Sequence, residues 1–488
     1  MTEHFDVVVV GAGISGVGAG YHIQAHAPGR SYVILEGREA MGGTWDLFRY
    51  PGIRSDSDMY TLGFSFRPWT NAKAIADGPS ILKYLEDTAR EFGIDKHIRY
   101  RMRVTKAAWS TADAEWDVTA EIDGEECHFT CNFLYMCTGY YNYAQGYTPG
   151  FAGLDEFNGR VVHPQHWPAD LDYAGKNVIV IGSGATAVTL VPEMAKAAAH
   201  VTMLQRSPTY VVSRPSEDSI ANWLRAKLPS KTAYAITRWK NVLGGQYFFR
   251  LMRKYPEKSK ERIVGMVRGA LGPDYDVDTH FTPSYNPWDQ RLCLVPDADL
   301  FASIREGSSE VVTGHIDRFV PEGIRLQSGE VLPADVVVTA TGLELQIMSG
   351  IPLTVDGAAV DLPSRMTYKG MMLSDVPNLA LAFGYTNASW TLKADLTSAY
   401  VCRLLNAMKK RGMRQITPRL SAPVEELPFL DFTSGYVQRA MEQFPRQGGR
   451  KPWRLNQNYT RDLMALRYGG IDQEMVFSNP VPKAARAA

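Results

Sequence analysis

Residues 6–16 read DVVVVGAGISG, and this stretch determines the fold of the first part of the chain. Asp6 to Val10 is a β-branched apolar run, which is typical of a strand buried in a parallel sheet. It leads into Gly11, Gly13 and Gly16 at the spacing G-x-G-x-x-G. These glycines allow a tight turn, the approach of a pyrophosphate to the backbone, and close packing of the next helix on the strand. The pattern therefore predicts a Rossmann-like unit.

The residues that follow favour a bound dinucleotide over an empty glycine-rich turn. The phosphates would lie at the N-terminus of the helix, with Ser15 in its first turn. A second strand, SYVILE, ends at Glu36, 20 residues after Gly16. A carboxylate at this position can accept hydrogen bonds from a ribose diol. The first unit is therefore expected to bind a nucleotide with a free ribose, such as FAD.

A second copy of the pattern occurs in KNVIVIGSGATA, residues 176–187, with Gly182, Gly184 and Ala187 at the three positions. Its second strand, HVTMLQRSP, carries no acidic residue at its end and has Gln205 and Arg206 there instead, followed by Ser207 as a further expected cofactor contact. A carboxylate would repel a 2′-phosphate, whereas an Arg can pair with it through charge-assisted hydrogen bonds. The second unit is therefore expected to bind NADPH; a solvated surface role for Arg206 is the alternative.

Two apolar strands that each end in Thr-Gly, at 138–139 and 341–342, indicate that the chain crosses between two interleaved domains. We expect an α/β fold with two Rossmann-like dinucleotide-binding domains, one for FAD and one for NADPH, and a helical insertion. The expected segments are 1–145 and 342–488 for the FAD domain, 150–212 and 290–341 for the NADPH domain, and 213–289 for the insertion.

Composition excludes several other classes of protein. Among 488 residues, Lys plus Arg and Asp plus Glu both number 52, so no net charge would draw the chain to nucleic acid. The N-terminus enters a strand pattern at once, which predicts no signal peptide. No apolar run approaches the ~18 residues that suggest a membrane span. Five Cys in a chain of this length favour a reducing compartment, and we expect a cytoplasmic location.

The stretch FNGRVVHPQHWP, residues 157–168, concentrates shape-specifying residues between the two nucleotide units. His163 and His166 lie three residues apart and could be metal ligands. A zinc site would need two further ligands close by, and the sequence offers none nearby. We therefore expect a hinge between the domains and no bound metal.

The same stretch fills the pattern F-x-G-x-x-x-H-x-x-x-W-[P/D], by which type I Baeyer–Villiger monooxygenases are recognised. A second pattern of that family, G-G-x-W-x-x-x-x-[F/Y]-P-G-x-x-x-D, is filled between Gly42 and Asp56. The chain therefore resembles these class B flavoprotein monooxygenases over essentially its whole length. It is most similar to the short branch that includes the ethionamide-activating monooxygenase, through YNPWDQRLCLVP, FGYTNASWTLKADLTS and PWRLNQNY. The residues that fill the first pattern are Phe157, Gly159, His163, Trp167 and Pro168.

The resemblance implies a reaction in two halves. NADPH reduces FAD, and the reduced flavin captures O2 as a peroxide that converts ketones to esters or lactones and sulfides to sulfoxides. The partners implied are O2 and a small apolar ketone or sulfide. Arg291, in WDQRLC, matches the catalytic Arg of the family, and Asp56 matches the acid that positions it. An Arg suits this role because it stays cationic and offers a rigid fork of donors; a plain domain-interface ion pair is the alternative.

Other roles carry over by position only. The fingerprint residues, His163 and Trp167 above all, are expected to link the domains and sense the nicotinamide nucleotide. Trp390 is either a wall of the substrate pocket or a core residue. Many family members carry Lys before the catalytic Arg, and Gln290 in its place weakens the expected preference for NADPH over NADH. The expected cofactor contacts are Thr44 and Trp45 at the flavin, Val104 at the adenine end of FAD, and Ser183, Gly184, Ala185 and Thr186 at the NADPH phosphates.

Three other functions compete with this interpretation. A flavin-containing N- or S-monooxygenase without Baeyer–Villiger activity is the main alternative, but its fingerprint usually ends in Tyr and a basic residue, not in Trp167 and Pro168. A flavin disulfide reductase would need a reactive Cys pair that is absent here. A non-catalytic redox sensor would have no use for Arg291 with Asp56.

Residues 221–271 contain twelve Lys and Arg and two Glu, a local charge of +10, with four aromatic residues interleaved. Such helices can lie in lipid headgroups, so weak peripheral membrane contact is one hypothesis. Globular helices often show the same composition, and we expect the aromatic residues to be core and the charges solvated. We expect a monomer or a loose homo-oligomer. The four aromatic residues are Trp239, Tyr247, Phe248 and Phe249.

Overall fold

The computed structural model describes residues 2–480, and within them strands and helices alternate along most of the chain. The strands are β1 Glu3–Val10, β2 Tyr32–Leu35, β3 Ile98–Arg99, β4 Arg103–Ser110, β5 Glu115–Ile122, β6 Glu125–Met136, β7 Tyr141–Gly146, β8 Arg160–Val162, β9 Asn177–Ile181, β10 His200–Gln205, β11 Val211–Arg214, β12 Cys293–Pro296, β13 Ser309–Thr313, β14 Ile316–Val320, β15 Gly323–Leu326, β16 Val331–Pro333, β17 Val336–Thr339, β18 Leu343–Leu345, β19 Leu353–Val355, β20 Ala358–Ala359, β21 Thr367–Tyr368, β22 Met372–Leu373, β23 Leu379–Leu381, β24 Gln415–Pro418, β25 Glu426–Pro428, β26 Arg446–Gly448 and β27 Met475–Ser478. The helices are α1 Ile14–His26, α2 Thr44–Leu47, α3 Met59–Leu62, α4 Gly78–Glu91, α5 Ala185–Met194, α6 Ser219–Lys227, α7 Ser230–Lys254, α8 Pro256–Leu271, α9 Val277–Phe281, α10 Asp299–Arg305, α11 Trp390–Arg411, α12 Gly435–Gln438 and α13 Tyr459–Leu463.

The larger sheet has nine strands in the order β20-β19-β4-β5-β6-β1-β2-β3, with β23 also paired to β6. β1 runs parallel to both of its neighbours, β2 and β6. Val7 and Val9 pack into one hydrophobic core, while Val8 and Val10 pack into the core on the opposite face. The apolar run that opens the chain is continuous because both faces of its strand are covered.

The second sheet has five parallel strands in the order β13-β10-β9-β17-β8. Its central strand β9 repeats the arrangement of β1: Val178 and Val180 enter one core, and Ile179 and Ile181 enter the other. The expected α/β fold with two dinucleotide-binding units is therefore confirmed.

The chain crosses between the two sheets through β7 and returns through β18, and these two strands pair with each other antiparallel. The helices α6 to α9 lie between β11 and β12, which pair parallel at the two ends of the insertion. Residues 213 and 214, assigned to the insertion from sequence, are instead the end of β11. Residues 481–488 of the expected FAD segment lie outside the described residues.

The helical insertion exposes aromatic side chains that were expected in the core. Trp239, Tyr247 and Phe248 are exposed, and only Phe249 is half-buried, against Trp288. The expectation was wrong because the buried face of α7 is formed by other residues, Ala233, Tyr234, Thr237, Arg238 and Val242. Within residues 2–480, none of the helices combines the length and the apolar character needed to cross a membrane.

Candidate active site

The first glycine-rich turn, between β1 and α1, lines a cavity of about 860 Å³. Gly11 has a φ of +102°, and a Cβ there would lie 2.7 Å from the carbonyl oxygen of Cys137, so only glycine fits. Gly13 precedes α1 and offers no side chain to cap its first amide groups. Free amides at a helix N-terminus, beside the hydroxyl of Ser15, are suited to bind an anion such as a pyrophosphate.

Glu36 follows the end of β2 and lies in the wall of the same cavity. Its carboxylate accepts hydrogen bonds from the backbone amides of Ala12, at 2.7 Å, and Arg38, at 3.0 Å. The residue is only 7% exposed, and burial raises the pKa of Glu36 in spite of these two bonds. The amides hold the carboxylate in place, where its remaining lone pairs can accept hydrogen bonds from a ribose.

The three residues assigned to the flavin and the adenine also line this first cavity: Thr44 and Trp45 in α2, and Val104 in β4. The loop that presents α2 lies close to the first glycine-rich turn, because a Cβ on Gly43 would be 3.1 Å from the Cα of Gly13. The structure thus brings these predicted cofactor residues to one cavity.

Trp390, at the start of α11, is a contact that sequence reasoning did not assign to this cavity. Its indole N–H donates to the hydroxyl of Ser15 at 2.8 Å. Its ring stacks on Tyr140 with centroids 5.2 Å apart and an interplanar angle of 14°. Trp390 therefore connects α11 to the first turn of α1, lines the first cavity and packs against the core of the larger sheet. The sequence alone allowed either a pocket wall or a core residue.

The second glycine-rich turn, between β9 and α5, reaches the first cavity through Ala185 and Thr186. Gly182 has a φ of +134°, and a side chain there would collide with the carbonyl oxygen of Ala340. The hydroxyl of Ser183 donates to the carbonyl of Ser207 at 3.2 Å, which ties the turn to the end of β10. The two dinucleotide turns therefore converge on one space.

Arg206 and Ser207 are both exposed, directly after β10. In the described part of the chain, Arg206 belongs to the wall of neither large cavity. A guanidinium in this position is free to meet a phosphate that extends out of the second turn.

Arg291 and Asp56 lie where the first cavity meets a second cavity of about 920 Å³, and both residues line both spaces. The Nη1 atom of Arg291 is 3.8 Å from the Oδ2 atom of Asp56. The side chains are 37% and 43% exposed, respectively. Within residues 2–480, the buried Nε of Arg291 has no hydrogen-bond partner. Because the side chain is 37% exposed, the guanidinium can offer donors at the junction of the two cavities, whereas the buried Nε is not accessible to a ligand.

The surroundings of Arg291 keep it charged. Burial would lower its pKa, but Tyr140, Tyr436 and Asp56 outweigh this effect and raise the pKa above its ordinary value. The hydroxyls of Tyr140 and Tyr141 are 3.1 Å apart. A cation held in this way can stabilise negative charge on a neighbouring ligand atom at any working pH.

The second cavity is built from parts of the chain that are far apart in sequence. Helix α7 contributes Val242, Phe249 and Met252, and the loop before β12 contributes Trp288. Residues 386–389 and 456–459 supply mostly polar groups. The wall therefore combines apolar side chains, which can hold an apolar ligand, with many polar and charged groups that can orient it. The three stretches that carry the closer family match, 285–296, 383–398 and 452–459, all contribute to this wall, but the sequence alone did not show that they meet. Among the predicted site residues, only Arg291 and Asp56 line the second cavity.

Among the fingerprint residues, His163 lies at the two interdomain crossings. His163 accepts a hydrogen bond at Nδ1 from the amide of Gln165, at 3.2 Å, and its Nε2 lies 3.3 Å from the carbonyl oxygen of Gly342. Its ring also packs directly on Gly146, at the end of β7. Burial lowers the pKa of His163, which favours the neutral ring with its proton on Nε2. The other four residues are Phe157, which is buried, Gly159, Trp167, which packs against the core of the second sheet, and Pro168.

The fingerprint stretch therefore lies against both crossings, and both nitrogens of His163 are engaged there. As far as residues 2–480 define the two cavities, none of its five pattern residues lines either one. In the same residues, no group of three or more His, Cys, Asp or Glu is arranged to hold a metal ion.

Comparison with known proteins gives matches along the whole chain. A flavin-binding monooxygenase-like family model matches residues 71–244, and an NAD(P)-binding Rossmann-like domain model matches residues 9–77. Over 476 residues, the chain is 58% identical to the FAD-containing monooxygenase EthA of Mycobacterium tuberculosis (strain ATCC 25618 / H37Rv), with 97% of each chain covered.

Two solved structures share the fold. An oxidized steroid monooxygenase bound to NADP is 23% identical and superposes with a TM-score of 0.77, with 98% of this chain and 100% of that chain covered. A cyclohexanone-bound cyclohexanone monooxygenase in its rotated conformation is 23% identical, with a TM-score of 0.69 and coverage of 86% and 89%.

Proposed function

The chain belongs to the family of FAD-containing monooxygenases, and from this premise we propose that it is an NADPH-dependent Baeyer–Villiger-type flavin monooxygenase. It would convert a ketone, O2, NADPH and a proton into an ester or lactone, NADP+ and water. With the same reagents it would oxidise sulfides to sulfoxides. The observation that carries the proposal is Arg291 beside Asp56 at the junction of the two cavities.

The first cavity fits FAD. The amide-rich start of α1 suits the pyrophosphate, and Glu36 is held by two amides where it can bind a ribose. Thr44 and Trp45 would lie against the flavin ring, and Val104 would meet the adenine end through its backbone. FAD, when bound, supplies the redox chemistry: it accepts a hydride from NADPH and transfers one oxygen atom from O2 to the substrate.

NADPH would bind at the second turn, with its phosphates at residues 183–186. The exposed Arg206, with Ser207 beside it, would pair with the 2′-phosphate, which is the group that distinguishes NADPH from NADH. Gln290 provides no charge at the position where many family members carry Lys. Arg206 would then carry most of the discrimination between the two nucleotides.

Arg291 would act where negative charge develops on the transferred oxygen and on the carbonyl oxygen of the ketone. Its unpaired N–H groups and its charge are in place before the reaction, so little reorganisation is needed when the charge appears. Asp56, at 3.8 Å, would orient the guanidinium from one side. Its carboxylate is too far away to neutralise the guanidinium through a direct hydrogen bond.

The second cavity would hold the substrate. Its apolar side chains, among them Val242, Phe249 and Trp288, suit an apolar ketone or sulfide, and its shared wall with the first cavity puts the reacting group beside Arg291. A cyclohexanone monooxygenase of the same fold has been solved with cyclohexanone bound, which supports a ketone as substrate.

The test is a substrate panel on the FAD-loaded enzyme. NADPH and O2 consumption would be followed with linear, cyclic and aryl ketones and with aryl sulfides, and the products would be identified by mass spectrometry. Esters or lactones from ketones are expected, together with sulfoxides from sulfides. Sulfoxides without any ester would favour the alternative, an N- or S-monooxygenase that lacks Baeyer–Villiger activity.

We also propose a cytoplasmic location and a monomer or loose homo-oligomer, with no nucleic acid partner. The five cysteines of the described residues are free thiols, and four of them are buried. This pattern is typical of proteins kept in a reducing compartment.

A further inference from the structure

Exposed apolar side chains are concentrated on the helical insertion. Of the fourteen large hydrophobic residues exposed within residues 2–480, nine lie between Ile220 and Met266. Trp223 and Tyr247 are each 61% exposed. A contiguous exposed apolar area usually marks an interaction site, whereas single exposed residues need no explanation.

These side chains form stripes along the helices. In α7, Ile236, Trp239, Leu243 and Tyr247 follow each other at spacings of three or four residues, which places them on one face. The stripe lies opposite the buried residues of the same helix. Helix α7 packs against both α6 and α8, and these two helices carry further exposed apolar side chains at Ile220, Trp223 and Met266.

Basic residues flank the stripes. In α6, Ile220 and Trp223 are followed one turn later by Lys227, and in α7 the line of exposed residues continues with Arg250 and Lys254. In the part of the chain that the structure describes, seven Lys and Arg from 227 to 268 have no carboxylate at salt-bridge distance, although other basic residues of the insertion are paired with Asp. The seven are Lys227, Lys231, Arg250, Lys254, Lys258, Lys260 and Arg262.

The combination of charge and shape selects the partner. Stripes of aliphatic and aromatic side chains flanked by unpaired cations match the headgroup region of an anionic bilayer, which attracts Lys and Arg and takes up apolar side chains. Nucleic acid would use the charge but would leave Ile236 and Leu243 without apolar partners. A second copy of this chain would bring the same positive surface against itself across a two-fold axis.

The same surface reaches the mouth of the second cavity. Ile220 and Phe248 are exposed and also line that cavity. The ring of Phe248 contacts Tyr247, the last member of the α7 stripe, with centroids 5.6 Å apart. A lipid phase in contact with the stripe would therefore lie beside the entrance to the cavity.

We propose that the helical insertion docks on an anionic lipid surface through this basic and apolar face, and that the second cavity opens toward that surface. The docking itself does not depend on the proposed reaction. The delivery of apolar substrates from the lipid to the cavity rests on the proposed function.

The test is sedimentation of the FAD-loaded protein with vesicles of phosphatidylcholine alone and of phosphatidylcholine with phosphatidylglycerol. Binding to the anionic vesicles at low salt and its loss at high salt are expected, since exposed charge interactions are screened. The triple variant Lys227→Gln, Lys231→Gln, Lys254→Gln should lower the partition coefficient on the order of a hundredfold. The variant Trp223→Gln, Leu243→Gln should also bind weakly.

A matched control uses exposed residues outside the insertion. Lys409→Gln with Lys410→Gln, at the end of α11, should leave vesicle binding unchanged, as should Leu420→Gln. All substituted side chains are exposed, and thermal unfolding and FAD content should match the parent protein.

Three outcomes would overturn the proposal. They are failure to sediment with anionic vesicles at low salt, equal binding by the insertion variants and the controls, and binding of duplex DNA without binding of vesicles. A change of oligomeric state in the insertion variants, without a change in vesicle binding, would assign the surface to a second copy instead. Because sedimentation does not use the enzymatic reaction, its result is independent of the proposed function.

Discussion

The variant Gly245→Leu gives a direct test of the second cavity as the substrate site. Gly244 and Gly245 lie in the middle of the 25-residue helix α7, where each glycine lowers helix stability by about 1 kcal/mol relative to Ala. A Cβ on either residue would meet no atom of the described chain within 4 Å. No neighbouring element therefore requires glycine here, but both residues line the second cavity.

The expected magnitude follows from the space that a leucine would occupy. Gly245 lies one turn from both Asn241 and Phe249, which line the same cavity, so its new side chain would enter the substrate space. A substrate that loses contact with about four CH2 groups, at about 0.8 kcal/mol each, would lose about 3 kcal/mol of binding. This corresponds to a decrease of roughly a hundredfold in kcat/KM for a bulky ketone. A small ketone that does not reach Gly245 should be converted as before.

The assay is NADPH oxidation and ester formation with a small and a bulky ketone, with chemical denaturation measured in parallel. Gly265→Leu is the matched control, because Gly265 lies in the interior of α8, is exposed and is outside the cavity wall. As at Gly245, an added Cβ there would meet no atom of the described chain within 4 Å. Both variants should be stabilised by about 0.5–1 kcal/mol. Only Gly245→Leu should change the ratio of the two kcat/KM values, and the same ratio in both variants would refute the assignment of the cavity.

Three further predictions concern single side chains. Arg291→Ala should lower the rate of ester formation by ~10²–10³-fold while the FAD content stays unchanged. The control Arg268→Ala, which removes an exposed ion pair with Asp278, should leave the rate unchanged. Near-normal ketone oxidation by Arg291→Ala would assign the catalytic charge to another residue. Arg206→Ala should raise the KM for NADPH by roughly tenfold to a hundredfold, because the loss of one charged hydrogen bond weakens binding by about that factor. The KM for NADH should stay unchanged. Equal shifts for both nucleotides would show that Arg206 does not contact the 2′-phosphate. Asp462→Ala should lower the free energy of unfolding by about 3–5 kcal/mol, because it leaves the buried Lys393, 2.9 Å from the carboxylate, without its partner. The control Asp472→Ala, which removes an exposed pair with Arg411, should lower it far less. Equal losses for both variants in denaturant titrations would contradict the argument.

The features that could be predicted from sequence are those in which a short stretch determines the local backbone. At Gly11 and Gly182 the chain needs a left-handed φ or a close approach to another strand, and few sequences other than the glycine-rich turn allow this. Glu36 could be assigned because it follows the second strand of a Rossmann unit at a fixed distance. The Asp56 and Arg291 roles required the family resemblance, since nothing local to either residue shows that they meet.

The second cavity could not be predicted because its walls come from α7, residues 386–389 and residues 456–459, which only the tertiary packing brings together. The exposure of Trp239 and Tyr247 was missed for a related reason. Helical spacing identifies the faces of a helix, but the packing of α7 on α3 and its neighbours determines which face is buried. The contact of Trp390 with Ser15 could not be predicted either, because it joins α11 to α1 across most of the chain length.

The position of the fingerprint explains how a stretch outside both cavities can affect catalysis. Asp56 lies in the part of the chain before the first crossing, whereas Arg291 follows the helical insertion and leads into β12. Their separation of 3.8 Å therefore depends on how the two domains are oriented. We expect that orientation to depend on the crossing where β7 and β18 pair, because His163 packs on Gly146 of one strand and lies 3.3 Å from the Gly342 carbonyl just before the other. A change at His163 would alter the Arg291–Asp56 geometry without touching either cavity, so its effect on the rate should appear with FAD still fully bound.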